Sequence, residues 1–252
     1  MTKSALLTVV VGLLLTVALT GCGSSDDDKQ SITVFAAASL KKSFTEIGER
    51  FKTDNPGSSV DFAFAGSADL VTQLAQGARA DVFASADTKN MVKAEQADLI
   101  EGRPVDFASN TLTIVTARGN PKQIASFADL NAPGVSVVVC ASEVPCGSAT
   151  EKIEKATKTE LRPVSEETSV TDVLNKVTSG QADAGIVYVT DALAAGDKVA
   201  AVNFVESSVA VNTYPIAMLK GASKPDLAKK FVDLVTGEYG QKVLSKAGFA
   251  KP

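Results

Sequence analysis

The chain has 252 residues, 45% hydrophobic and 21% charged, a globular composition with enough apolar side chains for one large or two smaller cores. A net charge of −4 without any run of Lys or Arg excludes an electrostatic footprint for nucleic acid or an anionic membrane surface. Histidine is absent, which removes the usual general base, the Ser-His-Asp and Cys-His nucleophiles and every His-ligated metal; Trp is absent too, so stacking platforms for sugars or single strands are poorly supplied.

At the N-terminus a single early charge, Lys3, precedes the apolar run Ala5 to Leu19. That run falls short of the ~20 residues of a membrane span and reads as the core of a secretory signal over residues 1–21. It ends in "LTGC", Leu19 to Cys22, which resembles the bacterial lipobox and implies lipid on Cys22 after cleavage. The polar stretch over 22–30 then reads as a flexible tether. The expected location is therefore outside the cytoplasm, on the outer face of the cell membrane. In that oxidising compartment the two remaining cysteines, Cys140 and Cys146, are expected to form a disulfide closing a small loop. A redox pair is the alternative, although their spacing is not C-x-x-C.

"SITVFAAA" reads as a strand, and Leu40, Phe44, Ile47 and Phe51 then recur at helical spacing. "SSVDFAFAG" and "ADVFASAD" are further strands, each leading into a helix. The alternation continues through "NTLTIVTA", "VSVVVCAS", "ADAGIVYV" and "NTYPIAML", and ends in one long helical pattern over "KPDLAKKFVDLVTGEYGQKVLSKAG". Such alternation predicts an α/β chain with parallel sheets covered on both faces, in two lobes. "NTLTIVTA" and "NTYPIAML" are the expected crossings between lobes. They divide the chain into lobe 1 over 31–111 with 218–252, and lobe 2 over 112–217.

Four strand-to-helix junctions share one design: "FAAAS" ending at Ser39, "FAGS" ending at Ser67, "PCGSATEKI" near Gly147 and Ser148, and "ETSVTDVL" around Ser169 and Val170. Small residues let a ligand approach the backbone, and a Ser or Thr stands where an N-cap is expected. Helix N-termini present unsatisfied NH groups and about half a positive charge, so converging junctions suit an anion without any cationic side chain. No Asp or Glu is among the residues at the turn of each junction, Ser39, Ser67, Gly147, Ser148, Thr168, Ser169 and Val170, which favours a fully deprotonated anion. Tyr188, at the end of "AGIVY", is placed to add a hydroxyl; of the three tyrosines it is the one expected at a junction.

The segments "VFAAASL", "FAGSADL", "GARADVFASAD", "VPCG", "GIVYVTDA" and "TYPIA", in this order, resemble the periplasmic molybdate-binding proteins of ABC importers. The resemblance implies a two-lobed type II substrate-binding fold with two crossing hinge strands, closing on molybdate and on tungstate. Carried over by position, it implies hydroxyl ligands at Ser39, Ser67 and Tyr188 and backbone NH ligands at Cys146 and Val170. Cys146 stands where the family has Ala. It further implies a monomer that works with a permease and its ATPase, with no cofactor and no catalysis. Another anion (sulfate, phosphate, a small organic acid) or ferric iron is the nearest alternative ligand. An exported thiol oxidoreductase or hydrolase is the alternative from a different class.

Overall fold

The computed structural model describes residues 30–252. The signal segment, Cys22 and the tether up to residue 29 lie outside the described residues. The chain forms β1 (Gln30–Ala37), α1 (Lys41–Asp54), β2 (Ser58–Ala65), α2 (Ser67–Ala75), β3 (Val82–Ala84), α3 (Thr88–Gln96) and β4 (Ile100–Asn110), then β5 (Leu112–Ala117), β6 (Val137–Cys140), α4 (Pro145–Thr157), β7 (Ser165–Glu167), α5 (Val170–Thr178), β8 (Ala184–Tyr188), α6 (Val189–Ala195) and β9 (Val199–Val202). It closes with β10 (Asn212–Leu219), α7 (Pro225–Thr236) and α8 (Glu238–Lys246).

Two five-stranded sheets result, ordered β2-β1-β3-β10-β4 and β7-β6-β8-β5-β9. Each has a parallel half built from βα units, β1 with β2 and β3 in one, β6 with β7 and β8 in the other. The strands nearest each passage between lobes, β10 and β5, instead pair antiparallel with their neighbours. The all-parallel expectation fails there because a chain entering from the other lobe arrives at the opposite end of the sheet.

The passages lie at Asn110–Leu112 and just before Asn212. "NTYPIAML" belongs wholly to the first sheet, where Asn212 faces Asn110 and Leu219 faces Ile100. The second lobe boundary is therefore near residue 212 rather than 218; β10 gains two hydrogen-bonded neighbours by joining the first sheet over its whole length.

The last helical pattern is two helices. Gly237 is extended (φ −78°, ψ 177°) and its NH closes α7 on the Asp233 carbonyl. A Cβ on Gly240 would lie 2.2 Å from the Val235 carbonyl oxygen, so α8 folds back tightly on the end of α7. Both pack against α1 over a phenylalanine cluster in which Phe231 meets Phe44 and Phe51 edge-on at 5.8 and 5.7 Å. Lobe 2 has its own core around Ile114, Val138, Ile153, Val173 and Ile186. Two separately packed lobes leave their facing surfaces free to form a cleft.

Candidate functional site

Parallel strands direct their carboxyl ends to one edge of a sheet, and in open α/β sheets ligands bind outside that edge. Here the two edges face each other. A cavity of about 10 Å³ is lined by Ala37, Ala38 and Ser39 after β1, Gly66 and Ser67 after β2, and Ala86 after β3. Lobe 2 contributes Val144, Pro145 and Cys146 before and within α4, Val170 at the start of α5, and Tyr188 at the end of β8. All five residues singled out in the sequence, Ser39, Ser67, Cys146, Val170 and Tyr188, meet at this point. None of the lining side chains is charged.

The hydroxyls are not used as expected. Ser67 is the first residue of α2, whose N-cap is Gly66, and its Oγ accepts from the Ala86 NH at 3.0 Å. Ser39 lies in a 3-10 turn before α1 and caps neither; its Oγ is 3.1 Å from Tyr214 Oη. At the third junction the helix opens at Pro145, with Val144 as N-cap, two residues earlier than the Gly-Ser pair suggested. Only Ser169 is a capping serine, accepting from the Asp172 NH.

This arrangement has a chemical consequence. A hydroxyl has one proton and two lone pairs, so an NH donated to its oxygen leaves the proton free to point elsewhere. Ser67 is held in this way by Ala86. Tyr188 is held by Asn212, whose Nδ2 donates to Tyr188 Oη at 3.0 Å and also to the Ala86 carbonyl at 2.9 Å. Burial, with Tyr214, Asp87 and Asp191 nearby, pushes the Tyr188 hydroxyl well above the ordinary tyrosine range, so it remains a donor. The first-turn NH groups of α2, α4 and α5 add donors that no intrahelical carbonyl can satisfy.

Cys140 and Cys146 are joined as a disulfide, with Cα atoms 5.7 Å apart. The bridge ties the first turn of α4 to the end of β6. A Cβ on Gly147 would lie 2.0 Å from the Ala141 carbonyl oxygen, so this loop is as tight as backbone allows. Between the lobes, a Cβ on Gly66 would lie 2.1 Å from the Thr168 carbonyl oxygen.

Sequence reasoning missed Asn212, Tyr214, Ala86 and two buried acids. Tyr214 is fully buried within β10, its ring 5.9 Å from that of Tyr188 and its hydroxyl 3.1 Å from Ser39 Oγ, so it supports the cavity from behind without lining it. Asp87 caps α3 and is raised above the usual carboxylate range chiefly by burial. Asp191 accepts from the Tyr188 NH at 3.1 Å, and burial pushes it up to about 7. The one signal for Asn212 was the repeated Asn-Thr pair, 110–111 and 212–213, at the two passages between lobes.

Residues 32–250 match the family model of the bacterial extracellular solute-binding proteins. The chain belongs to this family. Among its relatives is the molybdate-binding protein ModA of Mycobacterium tuberculosis, 56% identical over 254 residues and covering 97% of both chains. Solute-binding proteins of known structure share the fold. The periplasmic molybdate-binding protein of Azotobacter vinelandii superposes with a TM-score of 0.76 at 18% identity, over 88% of this chain and 99% of that one. The sulfate-binding protein SubI of M. tuberculosis does so with a TM-score of 0.76 at 20% identity, over 88% and 87%. Proteins of this fold are thus named for more than one oxyanion.

Proposed function

We propose that this protein captures molybdate, and tungstate with it, outside the cytoplasm and delivers it to the permease and ATPase of an ABC importer. The observation that carries this reading is the small uncharged cavity into which Ser39, Ser67 and Tyr188 hydroxyls and the helix starts at Cys146 and Val170 converge from both lobes. Donors from several directions suit a tetrahedral dianion, which offers an oxygen to each. The 56% identity to a molybdate-binding protein supports the same choice.

The alternatives fit less well. A protonated phosphate needs an acceptor, and no carboxylate lines the cavity. Ferric iron prefers a cluster of phenolate, carboxylate or imidazole ligands, whereas Tyr188 is the one such side chain lining the cavity. An organic acid calls for an arginine clamp on its carboxylate, and no arginine lines the cavity. Within this reading the protein acts as a monomer without a cofactor, with lipid on Cys22 of "LTGC" as its only membrane attachment. A thermal-shift and calorimetric panel of molybdate, tungstate, sulfate, phosphate and chromate tests the proposal, because a ligand of the native state raises its apparent stability. Large stabilisation by molybdate and tungstate is expected, with sulfate, phosphate and chromate far weaker; equal or greater stabilisation by sulfate or phosphate would overturn it.

A further inference from the structure

A crevice of about 640 Å³ lies beside the cavity, and Ala38 and Ser39 line both. Its lobe 1 wall carries Lys41 and Lys42 from the start of α1 and Lys246 from the end of α8; lobe 2 contributes Thr190 and Asp191. Among the described residues none of these three lysines makes an ion pair, although Lys52, Lys122, Lys155, Lys176, Lys220 and Lys229 all do. Ser43, one residue on, lines the same crevice; it is 2% exposed and its hydroxyl has no hydrogen-bond partner. A buried, unpartnered hydroxyl beside three unpaired ammonium groups is a donor set lacking its acceptor. A second crevice, of about 220 Å³, also adjoins the cavity, sharing Ala38 and Gly66 with it; its charged lining is Asp69, Asp172 and Lys41, two carboxylates to one ammonium.

We propose that the larger crevice is an outer anion site, formed by Lys41, Lys42, Lys246 and Ser43, at which an oxyanion first docks before passing Ser39 into the cavity. The two sites divide the work. Ammonium groups are point charges that attract any dianion over a distance and set the rate of encounter, whereas the neutral cavity selects by geometry. The second crevice, with two carboxylates, repels the same ion, so capture runs from one side. Keeping the lysines outside the cavity also keeps selection independent of charge.

The kinetic half of this inference rests on the proposed oxyanion capture, whereas the docking half does not. Inorganic sulfate is the probe for docking, since a charge-based outer site holds it weakly whatever the inner ligand. Titration into wild type, followed by nuclear magnetic resonance, is expected to shift the lysine and amide signals of Lys41, Lys42 and Lys246. Lys41→Ser/Lys42→Ser/Lys246→Ser should lose these shifts, and Ser43→Ala should weaken them. By stopped flow, the triple variant should associate with molybdate about tenfold more slowly at low salt, with its dissociation rate unchanged and the difference vanishing at high salt. A control removing the exposed Lys155, Lys158 and Lys230 matches the change in net charge. Absence of sulfate-dependent shifts at the three lysines, or equal slowing by the control, would overturn the outer site. A wild type that never takes up molybdate would overturn the proposed function instead, with the sulfate titration still deciding the outer site.

Discussion

A serine hydroxyl that both receives a backbone NH and points its proton into a cavity is worth more than a helix cap. Hydrogen bonds to a charged partner contribute on the order of 1.5 to 3 kcal/mol, so Ser67→Ala should weaken molybdate binding by about ten- to a hundredfold. Ser39→Ala should act similarly, through loss of the hydroxyl beside Tyr214. Neither should cost the ~1 kcal/mol of helix stability that an N-cap deletion brings, because neither serine caps a helix. Calorimetry paired with thermal unfolding separates the two effects, and unchanged affinity in both variants would remove these serines from the site. Asp191 gives a pH dependence. Its native pKa of about 7 lies above the ordinary value of 3.8, so between those limits the native state holds a proton that the unfolded chain has released. Its contribution is therefore present at low pH and is lost as pH rises from about 4 to 7. Asp191→Asn keeps an acceptor for the Tyr188 NH without that loss. Its stability relative to wild type should rise by as much as a few kcal/mol across the window, and then level off. Parallel denaturation curves at every pH would contradict this.

At the scale of elements, the disulfide holds the start of α4, where Pro145 and Cys146 line the cavity. Cys140→Ser/Cys146→Ser should lose about 2 kcal/mol of stability, the low end expected for so short a loop, and should also bind more weakly. Weaker binding is the informative half, since a disulfide remote from any site would change stability alone. The βα alternation was legible because apolar runs and small residues punctuate it: "VFAAAS" and "FAFAGS" announce strand ends that the structure places at the cavity. Capping was not legible. Ser39 and Ser67 look like caps in one dimension, but Gly66, with extended backbone and a carbonyl that accepts from the Leu70 NH, is the N-cap of α2. Strand β4 was equally hidden, because its first half lies exposed at a sheet edge, where Arg103 and Pro104 are tolerated and apolar alternation is not needed. The break between α7 and α8 depends on a close backbone approach at Gly240 that helical periodicity carries straight through.

At the scale of the molecule, hydrogen bonds that join the lobes reach residues lining the cavity. Asn212 donates to Ala86 in lobe 1 and to Tyr188 in lobe 2, while Asn110 of β4 donates to Thr190 of α6 at 2.8 Å. Each amide sits at one passage of the chain between lobes, so the hinge and the cavity-lining Tyr188 share hydrogen bonds. Closure can therefore be removed without disturbing either core. Gly66 has φ −60° and ψ 140°, which any residue adopts, so an alanine there is unstrained within lobe 1. Its methyl group instead meets the Thr168 carbonyl of lobe 2 at 2.1 Å, and backbone cannot yield that far while the lobes stay together. Gly66→Ala should therefore unfold like wild type in the absence of ligand, yet bind molybdate at least a hundredfold more weakly, since donors on the two lobes no longer reach the ion together. Small-angle scattering gives the decisive comparison: molybdate should reduce the radius of gyration of wild type and leave that of Gly66→Ala unchanged. A variant that still contracts and binds tightly would mean that the lobes hold the ion without meeting at Gly66.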